Sequence, residues 1–297
     1  MKKFLVIVVC ITLILFSNVS AFADVDDNKC SESTTSYQIY EYDEIIKCRN
    51  TPESELNSLS ISEDLYNLYR SDYVENYLLE LKEMTSEELY YYGYTDEQIA
   101  ILRNYNGESL ENASEMRAVL STLTISFTGI YHYTSQYRIR VNWYWSTKPS
   151  SFSLTRDGTA ALAWVASGSG GTAINSQYNS SPSYCTVWYY DGSGITQTYN
   201  SPMTVINPYS GVRSTHSTMS TSWAKSGQMT VEVNSVDSGV ITQMCFVFSY
   251  SVHSTTTLPN ISVSVYGVSV SLNLSSGMTE LGSKSCTYDR NGNLTTY

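Results

Sequence analysis

The chain has 297 residues, 17 Lys and Arg against 28 Asp and Glu, and a formal net charge of -11. Only 15% of residues are charged, and Tyr, at 26, outnumbers Phe and Trp together. This balance argues against nucleic acid as a partner, because phosphates demand clustered Lys and Arg, and 42% apolar residues argue against wholesale disorder.

Lys2 and Lys3 precede an apolar run from Phe4 to Phe16, and Ala21-Phe22-Ala23 follows. A basic start, a short apolar core and an A-x-A site are the pattern of a secretory signal peptide over residues 1–23. The expected location after cleavage near Ala23 is extracellular. The run is shorter than the roughly 20 residues of a membrane span.

The mature chain divides by composition. Residues 24–117 carry 22 acidic and 7 basic side chains, a net of -15; residues 118–297 carry 6 and 8, a net of +2. All five Trp lie in the second part. The expected organisation is a loosely ordered polar lead-in over 24–60, short helices over 61–107, a linker over 108–117, and an antiparallel β-sandwich over 118–297. The fold class is therefore α+β with segregated parts, the second jelly-roll-like.

In the first part, Ser62-Glu63-Asp64 reads as a helix start, with Leu65, Leu68 and Tyr69 at helical spacing behind it. Val74, Tyr77, Leu78 and Leu81 form a second apolar stripe. Thr85 with Glu88 and Thr95 with Gln98 are capping boxes, and Gly93 and Gly107 suit helix ends. The stretch Gly93-Tyr94-Thr95-Asp96-Glu97-Gln98-Ile99 through Asn104-Tyr105-Asn106-Gly107 resembles a phrase in uncharacterised secreted proteins of Gram-positive bacteria that continue into a β-rich half. The match covers about fifteen residues and implies export and architecture, with no activity attached.

In the second part 58 of 180 residues are Ser or Thr, a bias toward strands, turns and exposed faces. Between Arg138 and Trp145 the residues Ile139, Val141, Trp143 and Trp145 alternate with polar ones. Further strands are expected at Val119–Thr128, Ala160–Ala166, Tyr184–Tyr190, Met229–Val233, Val240–Tyr250 and Ile261–Leu274. Val240–Tyr250 is apolar on both faces, as a central strand is.

Export allows disulfides. Cys30 and Cys48 lie in a polar segment that offers little burial, so a local Cys30–Cys48 disulfide is expected. Cys185 and Cys245 either bridge two sheets or are separate buried thiols. The cysteine and histidine spacing supports no metal site and no cofactor motif is present. A hydrolase needs a base beside its nucleophile, and the three histidines, His132, His216 and His253, stand in Ser/Thr/Tyr-rich strands without such a motif. A glycosidase needs two placed carboxylates; among six acids in the β part only Glu232 falls within a strand. The expectation is a non-catalytic protein with no catalytic residues.

Binding fits better. Amphipathic rings suit contact surfaces, and Tyr144, Tyr189 and Tyr190 are the expected surface residues, with extracellular carbohydrate or a cell-surface component as the partner. The alternative is a β-type pore-forming or membrane-active protein. Ser214–Ala224 and Thr255–Leu274 are nearly uncharged and alternate small polar with apolar residues, as lipid-facing hairpins do. In that reading the acidic part is a pro-region, removed near Met116-Arg117.

Overall fold

In the computed structural model, the described residues are 33–58, 63–133, 135–153, 157–217, 222–236, 239–253, 260–265, 268–273 and 278–296. The proposed signal peptide and Cys30 lie outside them. Residues 31–297 form one compact unit with two hydrophobic cores, one helical and one between sheets.

The helical core begins earlier than expected. Residues 34–58 are not a loose lead-in. They form strand β1 (Thr34–Tyr40), helix α1 (Glu41–Asn50) and a 3-10 turn. Helices α2 (Glu63–Arg70), α3 (Tyr73–Glu83), α4 (Ser86–Tyr91) and α5 (Asp96–Asn104) follow. Both capping boxes form, with Thr85 accepting from the Glu88 N–H and Thr95 from the Gln98 N–H. Gly93, just past the end of α4, takes a φ of +89°, the left-handed conformation that lets the chain leave a helix; Gly107, two residues past the extended Tyr105 that ends α5, takes a φ of +83° in the turn that follows. Val74, Leu78 and Leu81 are fully buried, as the stripe requires.

The stretch 108–117 is not a linker. It forms two 3-10 turns that bury Leu110, Ala113 and Met116 completely in the helical core. Cys48 is also fully buried there as a free thiol, against the expectation that its polar surroundings would leave it poorly covered.

The sandwich has two antiparallel sheets. The first comprises β1, β2 (Thr122–His132), β3 (Gln136–Trp145), β6 (Ser176–Tyr190), β7 (Ile195–Ser201) and β10 (Trp223–Ser235), in the order β1-β2-β3-β10-β6-β7. The second contains β4 (Asp157–Ser167), β8 (Met203–Asn207), β9 (Gly211–Ser217), β11 (Gln243–His253), β14 (Met278–Asp289) and β15 (Leu294–Thr296), in the order β15-β14-β11-β4-β9-β8, with β5 (Ala173–Ile174) beside β4. β12 (Asn260–Val265) and β13 (Val268–Asn273) make a separate hairpin near β4 and β11.

Alternation in β3 is as read. Tyr137, Ile139, Val141, Trp143 and Trp145 are buried between the sheets, and Arg138, Arg140, Asn142 and Tyr144 face outward. β11 is central, with Met244, Phe246, Phe248 and Tyr250 in the core, while Cys245, Val247, Ser249 and Ser251 on its other face are buried too. Cys185 on β6 and Cys245 on β11 are separate free thiols rather than a bridge between sheets. Burial pushes Cys185 up to about 12 and Cys245 to about 11, far from the thiolate form that reacts.

β1 joins the helical part to the sandwich. Its seven residues pair with β2 from Thr34↔Thr128 to Tyr40↔Thr122. At its end the buried Glu41 accepts hydrogen bonds from Ser150 N (3.0 Å) and Ser150 Oγ (2.6 Å) through one oxygen, and from Ser121 N (3.2 Å) through the other. Trp223 Nε1 donates to Tyr91 O at 3.1 Å and Lys148 N to Tyr92 O at 2.8 Å, clamping α4 onto the sandwich.

Candidate binding face on the first sheet

The outward side chains of the first sheet define the site. The register places Thr124, Tyr144, Ser226, Trp188 and Thr198 in one row across β2, β3, β10, β6 and β7. The next row is Ser126, Asn142, Gln228, Thr186 and Asn200, and the row beyond is Thr128, Arg140, Thr230 and Tyr184. Strands lie about 4.8 Å apart, so Tyr144 and Trp188 stand roughly 10 Å apart with only Ser226 between them. The central strand carries short or covered groups between neighbours that carry rings, and this strip along β10, termed the groove, is the candidate face. Tyr144 and Tyr184 on its rims are 46% and 43% exposed. Gln228 Nε2 donates to Tyr184 Oη at 2.8 Å, and Thr186 Oγ1 to Asn200 Oδ1 at 3.2 Å.

The three tyrosines chosen from the sequence separate here. Tyr144 is on the rim. Tyr190 is half-buried at one end of the groove, its hydroxyl donating to Tyr90 O and Gly192 O at 3.3 Å each. Tyr189 is not a surface residue. It is 1% exposed in the sheet core, and its hydroxyl donates to Ser217 O at 2.7 Å. Neighbours in a strand point to opposite faces, so Tyr189 inward requires Trp188 outward. The alternation of Cys185, Val187 and Tyr189 with Tyr184, Thr186 and Trp188 carried that signal. Trp188, Tyr184 and Arg140 join Tyr144 on this face without being among the expected surface residues.

At the Tyr190 end a bulge falls between Ala224 and Ser226. The Lys225 ammonium lies 4.1 Å from the Tyr190 ring centre, 5.5 Å from Tyr144 and 5.7 Å from Trp223, in reach of cation–π attraction. Burial lowers its pKa from the usual lysine value. Burial, with Tyr190 beside it, raises that of Tyr144. At the other end Glu232, 2% exposed, accepts from Arg138 Nε at 3.1 Å and Nη2 at 2.9 Å, from Asn179 Nδ2 at 2.6 Å and from the Tyr131 hydroxyl. This strand acid is paired with Arg138 and further held by Asn179 and Tyr131.

Two of the histidines contact tyrosine hydroxyls. His216 is 2% exposed and its Nε2 lies 2.9 Å from Tyr250 Oη in the core. His132 Nδ1 lies 3.1 Å from Tyr288 Oη. The His253 side chain lies outside the described residues. Among the described residues, no group of three His, Cys, Asp or Glu side chains is placed to hold a metal ion.

The two segments of the pore-forming alternative differ. Ser214–Ala224 is no hairpin: it runs from β9 in the second sheet to β10 in the first, with Ser214, His216, Trp223 and Ala224 buried and 218–221 outside the described residues. Within Thr255–Leu274, β12 and β13 do pair as a hairpin, Ile261↔Leu272, Val263↔Val270 and Val265↔Val268 forming its apolar rungs. Among the described residues, no helix is long and apolar enough to cross a membrane.

No protein-family model matches the chain, and no curated protein matches it. Among solved structures it is similar to a collagen-binding domain from a Staphylococcus aureus adhesin, at 11% identity and a TM-score of 0.28 over 55% of this chain and 95% of that one. It is similar to the KRT10-binding region domain of the pneumococcal serine-rich repeat protein PsrP, at 12% identity and a TM-score of 0.23 over 52% and 89%. A third likeness is to AvmM, which catalyses macrocyclization in alchivemycin A biosynthesis, at 7% identity and a TM-score of 0.21 over 53% and 92%. At these scores the likenesses carry no argument, and a functional reading rests on the residues.

Proposed function

We propose that the chain is an exported, non-catalytic binding protein that holds a carbohydrate in the groove along β10. The observation that carries this reading is the row Tyr144–Ser226–Trp188, two rings on neighbouring strands with a serine floor between them. Ring faces cover the apolar face of a sugar. The adjacent row, Asn142, Gln228, Thr186 and Asn200, offers both donors and acceptors to its hydroxyls. The basic start, apolar run and A-x-A site of residues 1–23 support export, and the partner is then an extracellular glycan or a glycosylated surface. The test is a glycan array followed by calorimetry on the hits. Tyr144→Ala and Trp188→Ala should each weaken binding roughly fivefold to tenfold, on the order of 1 kcal/mol per ring. Binding that survives both substitutions unchanged refutes the groove.

A further inference from the structure

We infer that the Arg140–Thr230 end of this groove reads a carboxylate, so that the ligand is an acidic sugar of the uronic or sialic type. The inference rests on the groove being the binding face. The six strands of the first sheet carry three cations, Arg138, Arg140 and Lys225, and one anion, Glu232. Glu232 is taken by Arg138 through two hydrogen bonds. Arg140 stands two residues further along the same face, roughly 7 Å away. Among the described residues it makes no ion pair, and its Nε is shielded from solvent without a hydrogen-bond partner. Thr230, its register neighbour on β10, is 1% exposed and its Oγ1 also lacks a partner.

Shielded donors left unpaired are costly, and the cost is relieved when an acceptor arrives. A guanidinium presents its donors as a planar fork that matches a carboxylate. Lys225, five residues from Thr230 on β10 and roughly 16 Å along the groove, is a second cation without a carboxylate among the described residues, held against rings instead. The groove is therefore locally positive in a chain whose net charge is -11, the complement of an acidic ligand. The two rings between the cations favour a sugar over an acidic peptide such as polyglutamate, because their faces can cover the apolar face of a pyranose, while polyglutamate carries no ring to lay on them.

The test measures binding of the full chain to trigalacturonate, to the neutral maltotriose and to pentaglutamate. The wild type should prefer trigalacturonate over maltotriose by at least tenfold. Arg140→Gln should abolish that preference by weakening trigalacturonate at least tenfold more than it weakens maltotriose, and Arg140→Lys should restore only part of it, since an ammonium cannot supply two parallel bonds. Equal affinity for the two sugars in the wild type, or a preference that persists in Arg140→Gln at an unchanged melting temperature, overturns the carboxylate site and leaves the groove standing. Tighter binding of pentaglutamate overturns the sugar class. Absence of binding to either sugar overturns both the groove and its acid specificity.

Discussion

Gly227→Ala tests how the sandwich core is built. Gly227 sits in the middle of β10, opposite Trp143 in β3 and Val187 in β6. A methyl placed there overlaps the Trp143 ring, with Cε2 at 2.6 Å, closer than real Cβ contacts come. The ring cannot retreat. It is 1% exposed and stacked against Phe248 at 5.6 Å and 26°, with Tyr250 at 6.0 Å and His216 at 6.2 Å. Overpacking costs about 1–3 kcal/mol where neighbours can shift. Here the ring is held on its other face by the opposite sheet, so we expect the upper end, about 3 kcal/mol. That is a large share of the roughly 5–15 kcal/mol that stabilises a folded domain, and it lowers the melting temperature by roughly 6–12 °C for a chain of this size. Urea and thermal unfolding followed by tryptophan fluorescence and circular dichroism measure it. The sharper assay is a double-mutant cycle with Trp143→Phe, which shrinks the ring. In that background Gly227→Ala should cost under about 1 kcal/mol, a coupling of about 2 kcal/mol. A Gly227→Ala variant within 0.5 kcal/mol of wild type, or a cost unchanged in the Trp143→Phe background, refutes the reasoning.

Other expectations follow from the helical part. Burial opposes ionisation of Glu75, yet Arg49, through Nη1–Oε1 at 2.6 Å and Nη2–Oε2 at 2.8 Å, and the Leu110 N–H hold its carboxyl below the usual value. A depressed acid gives stability that is present above the unfolded value of 4.5 and lost as pH falls through the folded one. Stability curves should therefore show an acid limb below pH 4.5 that is shallower in Glu75→Gln, and at pH 7 that variant should be weaker by about 3 kcal/mol; an identical acid limb in both proteins contradicts the assignment. Trypsin should spare Arg117 in the folded chain, because its guanidinium is forked onto Asp43 at 2.9 Å twice and stacked 3.9 Å over Tyr40, and Met116 is fully buried. Rapid cleavage there by mass mapping revives the pro-region. A chain of residues 118–297 alone should aggregate or melt at a lower temperature, since β2 loses β1 and becomes an open edge; a monomer that melts like the full chain counts against this.

What was legible in the sequence was local. The capping boxes at Thr85 and Thr95 form because donor and acceptor are three residues apart, and β3 forms because its period of two is unbroken. β1 was not legible. Thr34–Tyr40 carries a weak pattern, and what makes it a strand is pairing with residues more than eighty positions later. The same holds for Cys48, whose surroundings are polar along the chain and apolar in space. Gly129, Gly158 and Gly227 lie within β2, β4 and β10. In the fold each lies under an aromatic side chain, of Tyr288, Tyr250 and Trp143, where a larger residue would clash. The groove was half legible. Alternation in β3 puts Tyr144 outside, and the same period on β6 puts Tyr189 inside and Trp188 outside, against the expectation for Tyr189.

The charge division also changes meaning. Residues 24–117 carry a net of -15, which invites reading them as a detachable acidic segment. The structure spends several of those acids on holding the fold: Glu41 on backbone N–H groups of the sandwich loops, Asp43 on Arg117, Glu75 on Arg49, Glu88 on its helix cap. On the first sheet the one acid, Glu232, is likewise consumed, and the cations left over are Arg140 and Lys225. A charge that is paired inside the fold cannot select a ligand, because its field is already answered; a charge that is left over can. On the first sheet, then, the charges without an opposite partner are cations, while Glu41, Asp43, Glu75 and Glu88 of the acidic part are tied to groups of the fold itself.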